Sequence, residues 1–517
     1  MAAFAAVGLM ASCSSEEVTP VNTDGTDEEQ TETQGQGTYA NFSLELNGLK
    51  SRATGYTPPT SGETTDNNPN DAKLDYGDVR LLIFNSVTKA LEINEEFTTS
   101  QKTVLVQAGK KKIFVFGNTS GALNSQFAAI AALTTADNID DFYAIVYDAG
   151  TPQALGTTLP TPRTYDIEPL HTIVQAGTKG LPVSSTNAIE YDLAPNIEET
   201  VSSGGTPVST PTSPTNTFEI EAMYMLAKAR LSLGNTEDDL TDFATTGNKV
   251  SDIKYTIRNL ARYTNFTQNV VANVPQSYYY NDYDATTPAA TFALDFDKAS
   301  AMQSTTLTTT AGNYLYVPEN NNKIIRRGQS SHFVINATFK PGNVITDADY
   351  TTSGTRFTYA TLDASGSQNY VYTLTEIQSI PAGTYFKDIN VLRKAAWLND
   401  KGIPWSNPPA ADLDAYVTTA DEASVGGGDK YYQFTNAQSW YRLDLGESTT
   451  GSNLNPGVLR GKAYNAKINS ITGPGEPLEN LIEDPTREPD PVVSMTYISA
   501  TITVKDWEVV GQVGDLH

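Results

Sequence analysis

The side chains that most often carry out chemistry in proteins are sparse in this chain. The sequence contains three histidines, His171, His332 and His517, and one cysteine, Cys13. No two histidines stand at the spacing of zinc ligands, and there is no nucleophile elbow, phosphate-binding loop or dinucleotide fingerprint. We therefore predict no catalytic residues, no metal site and no cofactor, and we expect that the protein is not an enzyme.

Two other chemistries leave weaker marks in a sequence. A glycosidase needs only a pair of carboxylates, and the chain offers 60 Asp and Glu residues. A glycan-binding protein stacks sugars on aromatic rings, and four tyrosines stand close together at Tyr278, Tyr279, Tyr280 and Tyr283. Such tyrosines more often pack within a sheet or on an edge strand. Both functions remain alternatives.

Cys13 is the first candidate for a covalent modification. It follows the apolar stretch MAAFAAVGLMAS and precedes an acidic polar tail. This arrangement resembles a bacterial lipoprotein signal peptide, in which cleavage precedes the cysteine and its thiol receives a diacylglycerol. Met10 stands where leucine is usual, and no basic residue precedes the apolar run. We expect a signal peptide at 1–12, lipidation of Cys13 and a disordered tether at 13–38.

The second candidate is the peptide bond between Arg52 and Ala53. Arg52 lies with Lys50 in a long polar loop that follows the first predicted strand, Tyr39–Asn47. Exposed polar loops are where proteases cut folded proteins, so an arginine-specific protease could reach this bond. On these residues alone, a solvated arginine is the simpler interpretation.

Composition limits the classes of protein that fit. The chain has 517 residues, 18% of them charged, and a formal net charge of −26. This length predicts two domains plus extensions. The negative charge argues against a nucleic-acid partner, because phosphate binding needs clustered Lys and Arg. No apolar run after Cys13 reaches the ~18 residues of a membrane helix.

Alternating apolar residues predict strands at both ends of the chain. Ala40, Phe42, Leu44 and Leu46 alternate with polar residues in the first strand. In the last stretch, every second residue is apolar from Ile498 to Val504. The alternation then shifts by one residue, so that the apolar positions become odd-numbered. The apolar residues are Ile498, Ala500, Ile502, Val504, Trp507 and Val509. Many short strands with few helices predict an all-β fold with minor α structure, built as two β-sandwiches.

The predicted organisation has four parts after the tether. An amino-terminal sandwich covers 39–233 and a carboxy-terminal sandwich covers 234–472. A proline-rich linker follows at 473–493, and the final strand lies in 494–517. We predict short helices at 122–133 and 139–147, while strand and helix both fit 218–233 by periodicity, with alternating Ala229, Leu231 and Leu233 favouring a strand.

Four features, in this order, resemble the fimbrillin family of Bacteroidales pili, the type V pilins, and most of all its shaft-forming members. They are the lipoprotein-like Cys13, an early strand followed at once by Arg52–Ala53, the mid-chain stretch LAKARLSL at Leu226–Leu233, and the ITVKDWEVV stretch at Ile502–Val510 behind a proline-rich run. The resemblance covers nearly the whole chain as a diffuse pattern, and it implies two tandem transthyretin-like sandwiches.

The resemblance also implies a route of assembly. An arginine-specific protease would cut at Arg52–Ala53, and the first strand, with Phe42, Leu44 and Leu46, would depart. The donor strand of another subunit, with its residues Ile502, Val504, Trp507 and Val509, would fill the groove. The implied partners are related pilin subunits, the protease, surface receptors and an outer-membrane lipid anchor in the precursor. The implied location is the fimbrium. A tip or anchor pilin is the alternative within the family.

Overall fold

The structure is a computed structural model that describes slightly more than half of the chain. The described residues are 37–46, 79–97, 99, 101–117, 124–146, 182–185, 189–261, 267, 269–271, 274–276, 296–297, 307, 314–319, 330–351, 354–362, 368–401, 409–423, 428, 430–448, 454–455, 457–483 and 498–506.

Nine strands of the amino-terminal region form one sheet. They are β1 (Gly37–Leu46), β2 (Val79–Asn85), β3 (Leu91–Phe97), β4 (Gln101–Gln107), β5 (Gly109–Gly117), β6 (Val183–Ser185), β7 (Glu190–Leu193), β8 (Thr212–Ser213) and β9 (Thr217–Tyr224). The order along the sheet is β3-β2-β5-β6-β9-β1-β4, and β7 pairs with both β5 and β8.

The remaining strands belong to smaller sheets. They are β10 (Leu226–Leu233), β11 (Lys249–Arg258), β12 (Leu260–Ala261), β13 (Asn269–Val271), β14 (Val274–Gln276), β15 (Phe296–Asp297), β16 (Leu315–Pro318), β17 (His332–Lys340), β18 (Val344–Thr351), β19 (Gly354–Ala360), β20 (Tyr370–Thr373), β21 (Tyr385–Phe386), β22 (Tyr431–Phe434), β23 (Gln438–Asp444), β24 (Glu447–Ser448), β25 (Leu454–Asn455), β26 (Lys462–Ile471) and β27 (Ile498–Asp506). The larger sheets have the orders β16-β10-β26-β27, β11-β17-β23 and β19-β18-β21-β20-β22.

Helices are few and mostly short in the described residues. They are α1 (Asn124–Ala131), α2 (Ile139–Val146), α3 (Glu199–Ser203), α4 (Glu237–Leu240), α5 (Phe243–Thr246), α6 (Ile389–Lys401), α7 (Ala410–Leu413) and α8 (Glu479–Glu483). The prediction of an all-β fold with minor α structure is confirmed, as are the two short helices predicted near α1 and α2.

The chain passes from the amino-terminal sheet to a carboxy-terminal sheet at a single buried residue, Met225. β9 ends just before it, and β10, which begins just after it, pairs with β16 and β26. The predicted amino-terminal domain, 39–233, ends with this strand. Its apolar alternation predicted a strand correctly but carries no information about which sheet the strand joins, because both faces of β10 are largely buried.

The two end strands of the amino-terminal sheet lie beside each other and are joined by side chains. Lys102 Nζ of β4 lies 2.8 Å from Glu95 Oε2 of β3. Near the other end of β4, the backbone N–H of Gln107 donates to Glu92 Oε2 at 3.3 Å. The other carboxylate oxygen of Glu92 lies 2.7 Å from the buried Lys111 Nζ, and burial lowers the pKa of that lysine. β4 is therefore tied to β3 without a hydrogen-bonded ladder between the two strands.

The first part of the predicted linker packs against the carboxy-terminal region. Glu476 and Trp440 exchange two backbone hydrogen bonds of 2.7 and 2.8 Å. Glu479, in α8, lies 2.8 Å from the guanidinium of Arg258. Leu481 and Ile482 are buried. Residues 473–483 thus form part of the folded body, although their composition predicts a linker with no regular structure.

A buried ion pair ties the carboxy-terminal region to the amino-terminal sheet. Arg460 Nη2 lies 2.9 Å from Glu319 Oε2, and the two side chains are 0% and 1% exposed. Arg460 Nη1 also lies 3.5 Å from the hydroxyl of Ser184 in β6. The next residue, Gly461, has φ +66° and donates its backbone N–H to Leu226 O at 2.8 Å. Charges so deeply buried persist only because each has its partner.

Loss of Arg460 should therefore destabilise the protein strongly. We expect Arg460→Met to lower the free energy of unfolding by ~3–5 kcal/mol, because it removes the guanidinium that balances the charge of the buried Glu319 carboxylate. The double variant Arg460→Met, Glu319→Leu should recover most of this loss. The matched control is Arg80→Met, which breaks a more exposed pair with Glu96 and should cost less than ~1 kcal/mol. Urea unfolding measures all three variants, and equal costs at the two arginines would contradict the assignment.

Candidate functional site

The described residues include part of the predicted departing strand and part of the predicted donor strand. Phe42, Leu44 and Leu46 lie in β1, and Ile502 and Val504 lie in β27. The lipidation residue, the two residues of the cleavage bond and the last two donor residues lie outside the described residues; they are Cys13, Arg52, Ala53, Trp507 and Val509. The structure does not bring the two strands together, since β1 and β27 belong to different sheets.

β1 lies inside the amino-terminal sheet and is hydrogen bonded on both sides. It runs antiparallel to β4, with Gly37 opposite Gln107 and Ser43 opposite Gln101. It runs parallel to β9, with Leu46 opposite Ala222 at the far end. We call the space that β1 fills the β1 seat. It lies between β4 and β9 and includes the groups that surround the beginning of β1. Within the described residues, β4 has no other strand partner.

One face of β1 is apolar and lies in the core. Ala40 and Phe42 are fully buried, and Leu44 is 8% exposed. The Phe42 ring stacks on that of Phe218 in β9, with centroids 5.9 Å apart. Tyr191 approaches the same Phe218 ring edge-on at 5.3 Å, and burial, with a smaller effect of Glu221, raises the pKa of its hydroxyl. The Phe42 ring thus lies in a small aromatic cluster with Phe218 and Tyr191.

The beginning of β1 is held by a polar cluster centred on the fully buried side chain of Asn216. Asn216 Nδ2 donates to Thr38 Oγ1 at 3.0 Å, to Tyr39 O at 3.2 Å and to Ala194 O at 2.8 Å. Thr38 Oγ1 donates to Ala194 O at 2.8 Å and accepts from Ile197 N at 3.0 Å. The Thr38 hydroxyl therefore serves three groups of the β1 seat at once.

One buried atom of β1 has no hydrogen-bond partner. Asn41 is 1% exposed, and its Nδ2 donates to Gln101 Oε1 at 3.2 Å, but its Oδ1 is unsatisfied. A buried polar atom without a partner costs ~1–3 kcal/mol. Two residues further on, the Ser43 hydroxyl donates to Phe218 O at 3.3 Å. β1 therefore fits its seat well but not ideally.

β27 occupies a different kind of position. It pairs only with β26 in the described residues and lies at the edge of its sheet. Ile498 is buried, and Ala500 and Ile502 lie half-buried against the core. Their neighbours Ser499, Thr501 and Thr503 are exposed. The predicted alternation is confirmed, and Val504 continues the strand opposite Tyr464.

Sequence reasoning missed the polar residues that hold β1. The predicted tether, 13–38, includes Thr38, and the Ser/Thr/Pro-rich composition of the stretch around Asn216 predicts only a loop. The backbone of Asn216 has φ +49°, a conformation that asparagine adopts more readily than most residues. Asparagine next to a strand is a weak signal of such a turn, and nothing in the sequence shows that its amide reaches a strand 178 residues away.

Within the described residues, no group of three or more His, Cys, Asp or Glu side chains could hold a metal ion. No described helix is both long and apolar enough to span a membrane.

Comparison with known proteins gives one family match. Residues 427–512 match the family described as the carboxy-terminal region of fimbrillin, the major fimbrial subunit protein type IV. This region includes β22, β23, β26 and β27. No curated protein sequence matches the chain.

Several solved structures are similar to the chain at low sequence identity. A fimbrilin, FimA, from Porphyromonas gingivalis W83 is 14% identical, with 92% of this chain and 99% of that chain covered and a TM-score of 0.38. The tip fimbrial protein Mfa3 from Porphyromonas gingivalis is 11% identical, with coverages of 91% and 100% and a TM-score of 0.33. A candidate cell adhesion protein from Parabacteroides distasonis is 14% identical, with coverages of 91% and 99% and a TM-score of 0.41.

The family match confirms the resemblance to fimbrillins in the part of the chain that it covers. Residues 427–512 of this protein are therefore similar to the carboxy-terminal region of fimbrillins.

Proposed function

We propose that the protein is a structural subunit of an adhesive fimbria, polymerised by exchange of β1 for the carboxy-terminal strand of a neighbouring subunit. The fimbrillin match supports a fimbrial subunit at the cell surface, assembled with related pilin subunits. The observation that carries the exchange is the contrast between the two end strands. β1 fills an interior seat, whereas β27 has one strand partner among the described residues and lies at the edge of its sheet there. The role is structural, and no enzymatic activity is proposed.

Two processing steps in the proposal rest on the sequence alone. The precursor is lipidated at Cys13 and anchored to the outer membrane, and an arginine-specific protease then cuts between Arg52 and Ala53. This bond falls between the end of β1 and the start of β2. A cut there separates β1 from the rest of the chain, so that β1 is held only by noncovalent contacts.

The energetics favour a replacement once β1 is free to leave. Its departure would expose the pocket of Phe42 and Leu44, and each such side chain contributes ~1.5–3 kcal/mol when fully buried. It would also leave the inner edges of β4 and β9 without partners, and open edges accept added strands. β27 offers nine residues with the required alternation. Because the freed β1 diffuses away, the exchange is directional.

The removable first strand and the donated last strand together favour a shaft subunit over a tip or anchor subunit. A subunit that both loses its first strand and donates its last strand can extend a polymer at each end. A terminal subunit needs only one of these abilities. The host or bacterial receptors of the assembled fimbria are partners that the family resemblance implies.

Blocking the cut should block assembly. We expect that the Arg52→Ala precursor stays monomeric after treatment with an arginine-specific protease, while the wild-type chain loses its first 52 residues and forms polymers that resist SDS. Arg163→Ala is the matched control and should polymerise normally. SDS gels and mass spectrometry of the new amino terminus measure both effects. Polymers from Arg52→Ala would refute this cleavage site, and a cleaved wild-type chain that stays monomeric would favour the glycan-binding alternative.

Removing the donor strand should stop polymers at their first step. A chain that ends at Val493 lacks β27 but keeps the β1 seat. After cleavage, it should accept one donor strand from a full-length precursor and form a dimer, because it cannot itself donate. Size-exclusion chromatography with light scattering measures the product. Long polymers made from the truncated chain alone would show that the exchanged strand is not the carboxy-terminal one.

A further inference from the structure

The stretch that begins two residues before β27 repeats the residue pattern of β1. Residues 38–46 read TYANFSLEL, and residues 496–504 read TYISATITV. Both begin with Thr-Tyr, both carry a small polar residue at the sixth position, and both end with aliphatic residues at the seventh and ninth positions. Other offsets between the two stretches lose the shared Thr-Tyr pair.

We infer from this match that the strand entering the β1 seat is residues 496–504 of a second copy, with Thr496 in the position of Thr38. The inference rests on the proposed strand exchange and adds its register and the residues that select it. Asn216 is the positioning residue of the seat, and Thr496 is its partner on the incoming strand.

The polar end of the seat carries most of the selection. Asn216 Nδ2, Ile197 N and Ala194 O all use the Thr38 hydroxyl, at 3.0, 3.0 and 2.8 Å. When β1 leaves, these three groups lose a partner in a region where Asn216 is fully buried. A threonine hydroxyl at the same point restores all three hydrogen bonds. An aliphatic side chain there would restore none of them and would exclude water.

The polar face of the incoming strand fits the same register. Thr501 takes the place of Ser43, and its hydroxyl can donate to Phe218 O as that of Ser43 does at 3.3 Å. Ser499 takes the place of Asn41, whose Oδ1 is buried without a partner. The smaller serine removes that unsatisfied atom. At this position the incoming strand loses the hydrogen bond from Asn41 to Gln101 together with the unsatisfied amide oxygen, so the register is tolerated there.

The apolar face keeps its chemistry but exchanges one large and one small side chain. Ile502 and Val504 take the positions of Leu44 and Leu46. Ile498 takes the position of Ala40, and Ala500 takes that of Phe42. The space that the Phe42 ring leaves beside Phe218 borders the added carbons of Ile498 on the same face of the strand, since strand side chains two residues apart are neighbours.

The rival register lies two residues away and aligns Ala500 with Ala40. It matches the small residue, but it places Ile498 against Asn216 and Asp506 in the position of Leu46. It also brings Thr503, rather than Thr501, to the position of Ser43. This difference makes the two registers separable by experiment, because Ser43 lies directly opposite Gln101 of β4.

A disulfide across the seat reads out the register. Directly opposed residues on neighbouring antiparallel strands have Cα atoms ~4.5–5.5 Å apart, within the range that a disulfide spans. In a Cys13→Ser background, Gln101→Cys is combined with either Thr501→Cys or Thr503→Cys. Gln101, Thr501 and Thr503 are all exposed in the subunit, so the two pairs are matched in accessibility. After cleavage and mild oxidation, non-reducing gels detect crosslinks between subunits.

We expect the Thr501→Cys pair to crosslink neighbouring subunits and the Thr503→Cys pair to remain uncrosslinked. The reverse result would overturn the inferred register but would leave the strand exchange itself intact. Polymer formation is scored independently in the same samples without oxidation, as SDS-resistant ladders. Absence of polymers in the wild-type chain would instead overturn the proposed function, and with it the register.

A second test separates the hydroxyl of Thr496 from the shape of its side chain. Thr496→Val keeps the shape and removes the hydroxyl, and we expect polymerisation of the cleaved subunits to begin about tenfold more slowly, the factor for the loss of buried hydrogen bonds. Thr496→Ser keeps the hydroxyl and should polymerise within about twofold of the wild type. If valine and serine behave alike, Thr496 does not occupy the polar end of the seat.

Discussion

The amino-terminal sheet depends on β1, because β1 is the strand that joins β4 to β9. β1 lies between β4 and β9, and β4 reaches the rest of the sheet's ladder only through β1 in the described residues. During strand exchange, β4 must therefore keep its place while the seat is empty. Contacts to β3 can hold β4 in place. Lys102 contacts Glu95, and the backbone N–H of Gln107 donates to Glu92. Neither contact involves β1.

The carboxy-terminal region supplies a rigid base for the donor. The chain is fixed to the body through Leu481 and Ile482, and Arg442 reaches Ile482 O at 3.4 Å from a buried network with Asp444 and Ser330. The buried pair of Arg460 and Glu319 ties this region to the amino-terminal sheet. Forces along a fimbria would then pass through a packed core rather than through a loose junction, which suits a structural subunit.

The sequence predicted the elements well and their neighbours poorly. Period-two alternation located β1 within two residues of its observed ends, and the two predicted helices lie within a few residues of α1 and α2, because such patterns arise from local burial on one face. The sequence did not show that Leu226–Leu233 pairs with β16 and β26, since a strand's pattern does not indicate which sheet the strand joins. The buried role of Asn216 was equally invisible, because its hydrogen bonds to Thr38 and Tyr39 depend on chain segments far apart in sequence.

The most direct test is a cryo-electron microscopy map of assembled fimbriae. If subunits join by the proposed strand exchange, the density between β4 and β9 continues from the carboxy-terminal strand of the adjacent subunit, and residues 37–46 are absent. A map in which residues 37–46 still fill that position, with each carboxy-terminal strand paired only to its own β26, would show that the subunits do not join by strand exchange.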